Sequence, residues 1–95
     1  MQKIEYTGIV YAINHGYPEP LIEHTLKKLN DYGIKKKDIE ITDAPDNAKV
    51  GTVIVEIWPY HLDVARVRSI RNDSFISGSL MTIELKADAN GKYID

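Results

Sequence analysis

Three histidines carry most of the reactive potential of this 95-residue chain, and their placement limits what they can do. His15 lies in Asn14-His15-Gly16, just ahead of a helix start, where backbone N–H groups can receive an anion, so a small anionic ligand is one use for that loop. A solvated side chain is the simpler account of a lone loop histidine. His24 falls on the polar face of the same helix and His61 follows the corner Trp58-Pro59-Tyr60, so no two histidines have a helical or strand spacing that aims them at one metal. Asp43, Asp46 and Asn47 hint at calcium, but the loop lacks the glycine and terminal glutamate that make such a motif specific, and turn chemistry accounts for them. With no cysteine there is no thiolate nucleophile and no sulfur-held metal. No Ser-His-Asp spacing, glycine-rich phosphate loop or carboxylate pair stands out, so the expectation is a protein without metal, cofactor or enzymatic activity. Trp58-Pro59-Tyr60 is expected to cap the core from the side; an exposed contact corner is the alternative.

The elements that must position these residues follow from periodicity. Residues 4–13 form a β-rich run ending at Asn14-His15-Gly16, the first strand. From Pro18 to Tyr32, Leu21, Ile22, Thr25, Leu26, Leu29 and Tyr32 share one helical arc, with Gly33 where a left-handed C-cap belongs. Residues 38–43 alternate as a second strand, residues 51–57 form a β-branched third, and Pro59 ends it. Between Tyr60 and about Arg71, the spacing of Tyr60, Val64, Val67 and Ile70 predicts a second helix. Residues 72–79 read as loop and Leu80 to Lys86 as a fourth strand. Asn90-Gly91 favours a type I′ turn, making residues 91–95 a folded-back or frayed tail.

Thirteen isoleucines and six valines weight the apolar content toward strands, and 95 residues suffice for one domain. The net charge of −2 provides no general field for phosphate backbones or anionic lipid. No apolar run approaches the roughly 20 residues of a membrane helix, and the first residues lead into a strand rather than a signal core, so the expectation is a cytoplasmic protein without membrane contact. The order strand, helix, strand, strand, helix, strand gives the expected fold class: α+β, ferredoxin-like βαββαβ, a four-stranded antiparallel sheet with two helices on one face.

Val10-Tyr11-Ala12-Ile13-Asn14 resembles the first-strand motif of the RNA recognition motif family, and Leu26 to Gly33 resembles the end of that family's first helix. Residues 49–57 stand where its third-strand motif belongs, and the register covers about residues 9–86. The resemblance implies single-stranded RNA or DNA binding on the sheet, here by Tyr11 with Lys35, Lys36, Lys37, Arg66 and Arg68. The third-strand motif is degenerate: Thr52 and Ile54 stand where that family presents aromatic rings, which removes most of a stacking platform worth about 1–3 kcal/mol per base. In size and fold the chain is also similar to acylphosphatases, but its residues 14–18 hold no arginine to bind phosphate, so that activity is rejected.

Alternation directs Val10, Ala12, Val53, Val55, Ile57, Met81, Ile83 and Leu85 toward the helices. The same rule sends Ile9, Tyr11, Ile13, Thr52, Ile54 and Glu56 to the opposite face, fringed by Glu40 and Glu84. An apolar face of this kind marks a contact surface. The expected function is therefore a small non-enzymatic module acting through that face on a protein partner or on a second copy as a homodimer, with nucleic-acid binding as the alternative.

Overall fold

The computed structural model describes residues 2–87 and 93–94. Its elements are β1 (Val10–Asn14), α1 (Ile22–Asp31), β2 (Ile39–Ile41), β3 (Val53–Ile57), β4 (His61–Arg71), β5 (Ser74–Glu84), β6 (Lys86–Ala87) and β7 (Tyr93–Ile94), with single 3-10 turns at Glu19–Leu21 and Lys36–Asp38. The first five strands form one sheet in the order β2-β1-β3-β4-β5. β1 runs parallel to both β2 and β3, whereas β3, β4 and β5 form an antiparallel meander. The expected ferredoxin-like fold is thus replaced by an α+β fold with one helix and a five-stranded mixed sheet.

The difference originates at residues 60–71, which form β4 instead of a helix. Val64, Val67 and Ile70 are β-branched and lose rotamer freedom in a helix but not on a pleated surface. Their three-residue spacing has another origin: Val64 and Val67 serve opposite faces of the sheet, as an odd spacing along a strand requires, and a register shift after Val67 leaves Arg68 without a register partner on β5 before Ile70. A strand that is apolar toward both faces and carries one such irregularity imitates the helical period. Leu62 and Val64 point into the main core, while Val67 belongs to the cluster on the other face. The run expected as loop becomes the first half of β5, joined to β4 through Asn72 and Asp73, both at positive φ (48° and 63°), the signature of a two-residue type I′ hairpin.

α1 ends as its sequence requires. Gly33, at φ 95°, donates its N–H to the Asn30 carbonyl at 3.0 Å, and the Ile34 N–H reaches the Leu29 carbonyl at 3.1 Å. This pair of bonds satisfies the last helical carbonyls, and Ile34 packs fully buried with Leu29 in the core. The apolar arc of α1 covers one sheet face through Leu21, Ile22, Leu29 and Tyr32, meeting Val10, Ala12, Val53, Val55, Ile57, Leu62, Val64 and Ile83. The N-terminal segment straps this assembly: the Ile4 N–H donates to the Tyr32 carbonyl, and the Tyr6 hydroxyl donates to Asp38 Oδ2 at 2.6 Å.

The connection from β2 to β3 must pass β1, because the two strands flank it in the same direction. It does so on the face opposite α1. There Ala48 packs with Tyr11, Ile54 and Val67, joined by Ile13 and Phe75, a second apolar cluster. At the C-terminal end β7 pairs with β6 in a separate two-stranded sheet, so the chain does fold back; the Asn90-Gly91 turn lies outside the described residues.

Candidate functional site

The face expected to be open is roofed at its centre. Tyr11 and Ile54, cross-strand neighbours in the β1–β3 register, retain 7% and 8% exposure beneath the 42–52 crossover. Ile9, by contrast, is 48% exposed. With Tyr11 and Thr52, Ile9 lines a hollow of about 320 Å³ between the N-terminal segment and the crossover. Ile13 and Glu56 pair at the other end, and Glu40, beside Tyr11 in register, faces solvent. The six residues assigned to this face therefore divide into two ends separated by a covered middle.

The end nearest Glu56 collects what the sequence left scattered. His15 continues from β1, Trp58 from β3 and His61 opens β4, and parallel or tightly turned chains bring their rings together. His15 and Trp58 stack at 4.2 Å between centroids with 13° between planes; Trp58 and His61 follow at 6.1 Å and 17°. Each imidazole lies near a carboxylate, His15 Nε2 at 3.5 Å from Glu56 and His61 Nε2 at 3.4 Å from Asp63. Thr82 Oγ1 donates to the other oxygen of Asp63 at 3.0 Å. In this row the carboxylate stands between imidazole and hydroxyl, so His61 is not placed to take the Thr82 proton, and no activated nucleophile results. Among the described residues no three His, Asp or Glu side chains converge as metal ligands. Trp58 therefore belongs to this ring row, and Tyr60, at the turn tip, is 70% exposed. His24 lies elsewhere, on α1 in a hollow with Glu23 and Lys36, which are paired with each other at 2.7 Å.

The basic residues grouped for nucleic acid do not share a surface with Tyr11. Lys36 and Lys37 in the turn before β2 pair with Glu23 and Asp38, and Lys35 donates its backbone N–H to the Tyr6 hydroxyl. The hydrogen bond from Tyr6 holds the Asp38 carboxyl below its ordinary range and, reciprocally, raises the Tyr6 phenol. Arg66 is opposite Val53 in register, on the α1 side, and donates to the Glu5 carbonyl at 2.6 Å. Arg68 crosses Gly78 on the neighbouring strand: a Cβ at Gly78 would lie 2.7 Å from Arg68 Nε.

Arg68 thus lies over β5, whose residues 74–79 the sequence pattern predicts as loop and 80–84 as strand. β5 is an edge strand of eleven residues, and no strand among the described residues pairs with its outer side. From Ser74 to Ile83 it carries no charge and no proline, and Ile76 and Leu80 are 46% and 39% exposed. Natural edges are usually shortened, charged or covered. This one is neither short nor charged over ten residues, and no strand among the described residues covers it, although its pairing with β4 carries two register shifts. The signal in the sequence was the Phe75-Ile76 and Leu80-Met81-Thr82-Ile83 β-formers joined through small serines and Gly78, without a breaker between them.

The chain matches no family model, no curated protein and no solved structure. No helix among the described residues is long and apolar enough to cross a membrane.

Proposed function

We propose that this chain is a non-enzymatic protein-binding module that accepts an extended segment of another polypeptide as an added strand on β5. The observation supporting this reading is the long β5 edge, uncharged from Ser74 to Ile83 and paired on its outer side with no strand among the described residues. Its outward N–H and C=O groups need partners, and an added strand supplies them in alternation while pockets between side chains select the sequence. The contact thereby moves from the centre of the sheet face, where Tyr11 and Ile54 lie beneath the crossover, to the sheet's margin. Nucleic acid suits this margin less well, since a phosphate backbone offers no ladder of donors and acceptors and no aromatic ring stands on the edge beyond the half-buried Phe75.

The test uses the alternation of a strand's own N–H groups. Random peptides displayed on phage are selected on the immobilised chain, and enriched peptides are then measured against Ile76→Pro and Ser77→Pro. Successive N–H groups point to opposite edges, so one of these prolines removes an outward donor and leaves the β4–β5 pairing intact. Enriched peptides should lose about tenfold or more in affinity on that variant, with its melting temperature unchanged. Failure to enrich any peptide, or equal binding to both variants, refutes strand addition.

A further inference from the structure

We infer that the strand accepted by β5 is acidic, a proposal that rests on strand addition at this edge. Arg68 is exposed and lies across Gly78, the one position on β5 whose missing side chain leaves room for it. Its guanidinium is thereby carried across β5 toward the unpaired margin. Arg71 ends β4 at the hairpin tip and is also exposed. Neither arginine has a carboxylate partner among the described residues, whereas Lys36 and Lys37 are both paired with acids. Arg66 adds a third guanidinium on the α1 side, opposite Gly78 in register. β5 has no charge of its own to answer these groups before Glu84 at its far end.

A second copy of the chain answers them poorly. In a two-fold pairing of β5 with itself about Gly78, the two Arg68 side chains would meet on one face. The acids near the far end, Asp63 and Glu84, pair with Thr82 and His61 on the face turned away from α1, opposite the face that Arg66 and Arg68 share. An incoming strand with carboxylates at alternate positions places them all on one face, beside Arg68 and Arg71, and turns its remaining side chains toward Phe75 and Ser77.

The test is a titration of the isotopically labelled chain, followed by its amide resonances, with three peptides of about ten residues that alternate valine with glutamate, serine or lysine. The glutamate peptide should bind most tightly, by about threefold per paired carboxylate over the serine peptide, and should shift and protect the β5 amides; the lysine peptide should bind least. Arg68→Glu should invert the order of the glutamate and lysine peptides, and Arg68→Gln should level it. Equal affinity for the glutamate and serine peptides would overturn the acidic preference while leaving strand addition in place. Absence of any β5 perturbation by all three would overturn both. A dimer in solution whose β5 amides are already protected would assign the edge to a second copy and overturn the proposal. Salt-dependent binding of a short single-stranded RNA, lost in Arg68→Glu, with no peptide response would transfer the arginines to phosphate and do the same.

Discussion

Ile54→Ala measures how firmly the crossover closes the second face. The substitution removes three carbons from a side chain that is 8% exposed and packed with Tyr11, Ala48 and Val67. Loss of transfer free energy alone amounts to about 2.4 kcal/mol at roughly 0.8 kcal/mol per methylene, and the cavity left behind extends the range to about 2.4–5 kcal/mol. The roof over Ile54 is a loop, which collapses into a void more readily than a helix pinned along its length, so the lower part, about 2.4–3.5 kcal/mol, is expected. A chain of this size has a total stability of roughly 5–14 kcal/mol, so the variant remains folded at room temperature. Its midpoint should fall by roughly 10–28 °C, at about 4–8 °C per kcal/mol. Urea denaturation followed by circular dichroism and by the single tryptophan gives the difference directly, with an unchanged m-value. Ile9→Ala, at a position 48% exposed, is the control and should stay within about 0.5 kcal/mol of the parent. If Ile54→Ala costs no more than that control, the crossover does not bury this face, and the argument that moves the contact to the edge fails.

Two further outcomes follow from particular bonds. Tyr6→Phe removes the donor that holds the Asp38 carboxyl below its usual range. A carboxyl depressed in the folded state stabilises it above the unfolded-state value and loses that contribution as pH falls through the folded one. The parent should therefore be more stable than Tyr6→Phe at neutral pH, with the gap narrowing in acid, as thermal melts across pH 2–7 would record; a gap independent of pH sinks this account. Because the same bond raises the Tyr6 phenol, the gap should also close in strong alkali. Asp73→Gly places the residue preferred by a type I′ turn at a position with φ 63°, and should stabilise the chain by about 0.5–1 kcal/mol in chemical denaturation; destabilisation would mean that the Asp73 side chain supports the turn.

The first half of the molecule was legible because its signals are local. The α1 arc, the Gly33 cap and the in–out alternation of β1 and β3 all depend on neighbours within a few residues, and each is realised. The second half misled because β4 is apolar toward both faces: Val64 on one, Val67 on the other, and irregular pairing after Val67 give its apolar residues a helical spacing. Asn72-Asp73 lacks the glycine that announces a tight hairpin, so the turn was read as a loop and β5 lost its first half. The roof over Tyr11 and Ile54 had no signal in the pattern at all. Alternation tells which face a side chain takes, but whether a loop crosses that face is decided by strand order. The histidine, tryptophan and carboxylate row was missed for the same reason, since His15 and His61 are distant in sequence and meet only through the β1–β3–β4 adjacency.

The parallel placement of β1 between β2 and β3 bears on how the chain is made. During synthesis on the ribosome β1 emerges first, yet its partner on the meander side, β3, begins only at Val53, and the antiparallel neighbours follow later still. Non-local parallel pairing is slow to form, whereas a two-residue hairpin such as β4–β5 closes on contact. The shared core thus waits on late-synthesised strands: a nascent chain halted before Ser74 would hold the α1-facing side chains of β1 and β3 without Ile83 of β5 to complete their core.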